Sequence, residues 1–369
     1  MPAKFVDETP RSVYFYSRAA AITVDDDIPL TEQDVDDVAE IFQTPLTGSY
    51  NWDYKLQEGR IKQLYELGKK LNWNVESDLD WDKPVTLLPD EVRAKVGGFS
   101  GFEPFEQLSE AKKNEFLDHC DAWRLAQFLH GEQGALLVAS QLVSCAPTFN
   151  AKLYAGSQTF DEARHVEVFN KFIQEKLGVM YPVNYALKGI LDKILTDERW
   201  DLKFIGMQVV IEGLALAAFT SMHDRLPEGG LLKDILNYVI RDEARHVAFG
   251  IHYLEEFVKS LSDEEREERA QFAYEACVVS RERLIPTDVF EYYGWDVEDA
   301  RQAFLAGEGN TNFRNHLFQR VIPNLRRIGL LTDKIRPKFD ELGVLEYENM
   351  IDDGDIDWAE MSRPLDQLN

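Results

Sequence analysis

Two segments, DEARHVEVF at residues 161–169 and DEARHVAFG at 242–250, repeat one charged pentad ahead of an apolar run. Three positions apart on a helix, Glu162 and His165 project from one side, as do Glu243 and His246. Glu132 precedes Glu162 by 30 residues and Glu212 precedes Glu243 by 31. Glu132 is followed by QGALLVASQLV and Glu212 lies within MQVVIEGLALAAF, surroundings too apolar for exposed acids. Four ionised carboxylates in an apolar interior are desolvated and repel one another, so a positive counter-charge must sit between them. Two divalent cations balance four carboxylates and two neutral imidazoles. Such donors with open positions suit iron or manganese better than zinc, which prefers four tight ligands and often thiolates. The expected cofactor is therefore a pair of irons, with manganese and iron together as a variant.

These side chains meet only if long elements carry them to one level. Apolar residues recur at three and four throughout, and few runs alternate as strands do, so the chain reads as all-α. Helices are expected over 52–71, 109–145, 151–177, 185–200, 201–223 and 231–261, with Pro147 ending the second. GEQGALL around Glu132 aligns with IEGLALA around Glu212, so the chain contains an internal repeat of helix, turn and helix. The midpoints of both Glu-to-Glu intervals fall in turns, at Pro147 and at Pro227 or Glu228. A chain that rises and returns by equal lengths comes back to the same height, so all six side chains can share one layer of an antiparallel bundle. One DEARH alone would be an ordinary ion-pair face. Two copies, each with an apolar-embedded glutamate, argue for a metal site.

The rest of the pentad supports it. Asp161 and Asp242 precede His165 and His246 by four, the spacing at which a carboxylate accepts the second imidazole N–H of its own helix. Arg164 and Arg245 are placed to neutralise those aspartates across the paired helices. Phe128, Leu136, Phe169, Leu216 and Phe219 stand about one or two turns from the glutamates and are candidates for an apolar chamber beside the metals.

With 369 residues, 44% apolar, and no Pro/Gly/Ser-rich linker, the chain reads as one large domain. Its sections are an acidic extension with flanking helices to residue 120, the bundle over 121–260, and further helices with an acidic tail over 261–369. A net charge of −26 excludes nucleic acid and anionic membrane as partners. Cys120, Cys145 and Cys277 form neither a CxxC pair nor an even set, which points to a reducing, cytoplasmic setting. No basic leader or uninterrupted apolar run of membrane length is read in the sequence.

The ligand pattern resembles the ferritin-like di-iron carboxylate superfamily, in the branch of bacterial multicomponent monooxygenase hydroxylases and ribonucleotide reductase small subunits. The likeness covers residues 121–260, and implies that Glu132, Glu162 and His165 hold one iron while Glu212, Glu243 and His246 complete the other, with Glu162 and Glu243 as bridges. Three departures bear on activity. Phe169 stands where most reductase small subunits carry their radical tyrosine. Leu216 replaces a threonine of the monooxygenase hydroxylases, so proton handling must differ or use water. Val239 stands where amine N-oxygenases place a further histidine, which weakens that reading. The expected activity is oxygenation of a small organic substrate by O2. Electrons would come from a ferredoxin or flavin reductase, because neither a nucleotide-binding glycine motif nor an iron–sulfur cysteine set is present. The alternatives are iron oxidation in an iron-handling protein, or a ligand-binding oxidase with a manganese and iron pair. A homodimer is expected from the general habit of such proteins.

Overall fold

The computed structural model describes residues 14–15, 41–52, 54, 59–85, 87–307 and 313–355. The acidic run at 23–40, the tail beyond Asp355, and residues 55–58 of the first expected helix lie outside the described residues. The described helices are α1 (Arg60–Lys70), α2 (Asp90–Val96), α3 (Glu103–Glu106), α4 (Glu110–Cys145), α5 (Phe149–Phe172), α6 (Tyr185–Thr196) and α7 (Trp200–Phe204). There follow α8 (Glu212–Arg225), α9 (Leu231–Lys259), α10 (Asp263–Glu282), α11 (Thr287–Tyr292), α12 (Val297–Ala306), α13 (Phe318–Arg327) and α14 (Arg336–Glu341). Among the described residues the strands are one antiparallel pair, with Tyr14 opposite Met180 and Phe15 opposite Val179.

The long helices begin and end for local reasons. Ser109 accepts from the Lys112 amide to cap α4, and Thr148 accepts from the Ala151 amide to cap α5. Pro147 separates them. Asn184 caps α6 through the Leu187 amide at 2.7 Å, and Ser262 and Glu265 form a reciprocal capping box at α10. Two π-helical turns depart from the sequence reading. One, Ile173–Leu177, prolongs α5 and closes on Gly178, whose φ of 74° suits a residue without a Cβ. The other, Ile205–Ile211, joins α7 to α8 directly ahead of Glu212. Such turns widen a helix locally and recur at functional sites.

Facing residues give the directions of the four central rods. Phe128 meets Phe169 as Glu132 meets His165, so α4 and α5 are antiparallel. His165 faces Asp242 and Asp161 faces His246, so α5 and α9 are antiparallel as well. Glu162 lies beside Glu212, and Phe169 beside Phe219, so α5 and α8 run parallel. The result is an all-α, ferritin-like four-helix bundle with flanking helices. Its interior holds two hydrophobic cores with the acid-rich layer between them. One core contains Val138, Leu142, Phe204, Ile205 and Met207, with Val321 of α13; the other contains Phe116, Trp123, Phe169, Phe219 and Phe290.

The rod from Trp200 to Arg225 is long and apolar enough to cross a membrane, contrary to the sequence reading, but 94% of its apolar window is buried inside the protein. It is apolar because the other rods surround it on all sides.

Candidate metal centre

Glu132 of α4, Glu162 and His165 of α5, Glu212 of α8, and Glu243 and His246 of α9 converge between the two cores. Their donor atoms form two groups in which all atoms lie within 4.8 Å of one another: Glu132, Glu162, His165 and Glu243, then Glu162, Glu212 and His246. None of the six residues is more than 5% exposed. Glu162 oxygens lie 3.3 Å from His165 Nδ1 and 3.0 Å from His246 Nδ1. Glu243 Oε1 lies 3.2 and 3.6 Å from the same two nitrogens, yet Glu162 alone belongs to both groups, so the expected bridging place is shown for Glu162 and not for Glu243. Glu162 Oε2, Glu212 Oε2, both Glu243 oxygens and His246 Nδ1 are buried without a hydrogen-bond partner among the described residues. Buried donors and acceptors are normally satisfied, and these converge with the chemistry of metal ligands. The residues therefore fit a pair of metal ions.

The outer support crosses between helices, which corrects the same-helix pairing expected from the sequence. His165 Nε2 lies 3.2 Å from Asp242 Oδ2, and His246 Nε2 lies 3.2 Å from Asp161 Oδ2. Each imidazole thus turns Nδ1 inward and donates outward to the opposite rod. Arg164 bonds Asp161 and reaches Asp242 at 3.2 Å, while Arg245 reaches Asp161 at 3.0 Å and Asp242 at 2.5 Å. Two guanidinium groups and two carboxylates close one buried, neutral cluster. Trp73 adds an indole N–H to Asp242 at 2.8 Å, and Asn72 bonds Arg164. Neither residue is singled out by spacing, because both come from the loop after α1, far away in sequence.

Burial and mutual charge shift the proton affinities of these groups. Burial, followed by the charge of Glu243, pushes the Glu132 carboxyl up to about 8. Burial and the charges of Glu162 and Glu243 raise Glu212 well above the carboxylate range. Burial opposes a charge on Glu162 too, but His246 and His165 hold its carboxyl below the ordinary range. Both histidines are raised well above their usual value, against desolvation, by the surrounding carboxylates. The same buried charge that raises these groups is what divalent cations would neutralise.

The expected apolar chamber is only partly assembled. Phe128, Phe169 and Phe219 form an aromatic trio, with ring centroids 4.7, 5.7 and 6.4 Å apart. Phe128 lines a cavity of about 170 Å³, whereas Phe169 and Phe219 pack behind it. Leu216 is buried in the other core, and Leu136 is half-buried and does not line the cavity. For Leu136 the reason is direction: a step of four along α4 descends while the same step along α5 or α8 ascends, so Leu136 lies on the far side of the metal layer. Arg283 also lines the cavity, is 9% exposed, and has no acidic hydrogen-bond partner among the described residues. Burial lowers its pKa to about 10, a loss opposed by Glu132. Nothing in its sequence neighbourhood marks it. His130 packs against the Tyr181 carbonyl at 2.9 Å, and Trp123 donates to Asp288 at 2.8 Å while lining the cavity.

Residues 55–329 match the family described as p-aminobenzoate N-oxygenase AurF. The chain belongs to the AurF family. The match extends well beyond the 121–260 section, and the departure at Val239 stands within it. That position holds a fully buried valine packed in the aromatic core, not a further nitrogen donor. Among solved structures, the chain is similar to a variant of an R2-like ligand-binding oxidase with an anaerobically reconstituted Mn/Fe cofactor. Identity is 18%, TM-score 0.47, and coverage 74% of this chain and 94% of the other. It is also similar to an R2-like ligand-binding oxidase with an aerobically reconstituted metal cofactor after photoconversion, at 17% identity and TM-score 0.42, covering 70% and 93%. No curated protein matches the sequence.

Proposed function

We propose that this AurF-family chain is a two-iron oxygenase that uses O2 to oxidise the nitrogen of a small aromatic amine bearing an anionic group. The observation that carries the substrate class is Arg283, a buried guanidinium without an acidic hydrogen-bond partner among the described residues, on the wall of a mostly apolar cavity that Arg93, Asp121, Arg124, Arg225 and Arg314 also line. Leaving such a charge unpaired is costly, and a bound carboxylate would relieve it. The size agrees, since an apolar cavity of about 150 Å³ takes up benzene and this one is about 170 Å³. Phe128, one turn from Glu132, forms the wall between cavity and ligands.

When bound, the metals supply the reduction of O2. The chain's own residues set the conditions. Asp161 and Asp242 hold both imidazoles with Nδ1 inward, and the phenylalanine trio keeps water from the cavity side. Electrons come from a separate ferredoxin or flavin reductase, and the working protein is a cytoplasmic homodimer. Supplying the iron-loaded protein with p-aminobenzoate, reductant and O2 should give hydroxylamino- or nitrobenzoate by mass spectrometry. Absence of oxidised product across a panel of anionic and neutral arylamines, from protein carrying two irons, would sink this reading.

A further inference from the structure

The side of the metal layer away from the cavity is polar. One turn before Glu162, Gln158 donates Nε2 to Glu162 Oε1 at 3.1 Å and to Glu212 Oε1 at 2.9 Å. Gln208 stands one turn before Glu212 on a rod parallel to α5, which places it at the level of Gln158. Gly250 of the antiparallel α9 shares that level, and a Cβ added there would lie 2.6 Å from Gln208 Cβ. Tyr154, a further turn down α5, packs its ring on Phe249 at 4.3 Å. Gln158 and Gln208 are fully buried and Tyr154 is 1% exposed. Yet Gln158 Oε1, both Gln208 amide atoms and Tyr154 Oη lack a hydrogen-bond partner among the described residues. Buried polar atoms are satisfied by protein or by ordered water, and a bound water typically makes two to four such bonds.

We propose that Gln158, Gln208 and Tyr154 form a buried water site beneath Glu162 and Glu212, by which water and its protons reach the metal layer from the side opposite the substrate. Both amides and the phenol are neutral hydrogen-bonding groups, so the ligand they select is small and uncharged. A proton would hop between water molecules, and none of the three side chains would change its charge. Separation from the cavity keeps this water away from the bound arylamine. The proton role rests on the oxygenase reading, whereas the water site itself does not.

A high-resolution crystal structure of the metal-loaded chain should show ordered water within about 3.2 Å of Gln208 and of Gln158 Oε1 or Tyr154 Oη. Gln208→Leu should lose that water and retain two metals by metal analysis. Its O2 consumption should slow by about tenfold or more, with an altered solvent deuterium isotope effect and an unchanged KM for p-aminobenzoate. Tyr154→Phe removes one oxygen alone and should shift the isotope effect in the same direction; Gln208→Asn should restore part of the rate. Dry density in the wild type, or Gln208→Leu with wild-type rate and isotope effect, overturns the inference. The density readout needs no turnover, so it separates this failure from failure of the oxygenase reading.

Discussion

Arg283 and Arg245 are both buried guanidinium groups with opposite energetic standing. Arg245 pairs with Asp161 and Asp242, and Arg283 has no such acid. Arg245→Leu should therefore cost about 3–5 kcal/mol in a denaturant unfolding curve, since two buried carboxylates lose half their compensation. Arg283→Leu should leave the melting temperature of the free protein unchanged or higher. The same change should raise KM for p-aminobenzoate by about tenfold to a hundredfold, the worth of a hydrogen bond to a charged group. Aniline, which has no anion to anchor, should show no such change. Equal losses for both amines would remove Arg283 from substrate recognition. The facing of Glu162, Glu243 and both histidines was readable from spacing because residues three apart on one helix are a local pattern. Arg283 was not, because its meaning comes from a cavity wall built by distant segments.

At the level of elements, helix contacts decide whether a glycine can be replaced. Alanine normally gains about 1 kcal/mol over glycine inside a helix. At Gly250 the added Cβ would lie 2.6 Å from Gln208 Cβ, and a carbon so near the backbone cannot swing aside. Overpacking of about 1–3 kcal/mol should outweigh the propensity gain, so Gly250→Ala should melt at a lower temperature. Because the two rods part near Glu212 and His246, metal affinity should fall with it, measurable by competition with a chromophoric chelator. Gly134→Ala meets only the far end of the Leu191 side chain, which can rotate, and should be milder. Helix boundaries for α4, α5 and α9 were legible within a few residues, because caps and prolines act locally. The π turn before Glu212 was not, since Ile205–Ile211 has the composition of any buried helix.

For the molecule as a whole, the layer couples metal to protons. Burial raises the pKa values of Glu132 and Glu212, and the surrounding carboxylates raise those of His165 and His246, which favours protons on all four. Two divalent cations must displace them, so loading at pH 7 should release about four protons. Calorimetry in buffers of different ionisation enthalpy measures the number. Because the metal-free form binds more protons, affinity should rise with pH and its dependence should begin to flatten above about 8, where Glu132 ionises unaided. Release of fewer than two protons would contradict the charge balance. Metal should also raise the melting temperature, since it binds the folded chain and a chelator should reverse the gain.

The sequence by itself determined the helical class, the two hairpins, and the six donors that share a layer, because these follow from a period of 3.6 and from distances along one chain. Tertiary structure alone decided the rest. Packing of antiparallel rods chose which aspartate supports which histidine, sent Leu136 to the far side, and assembled Arg283 with the cavity and Gln208 with Gly250. Those pairings depend on how neighbouring helices face each other, and a local period carries no record of that.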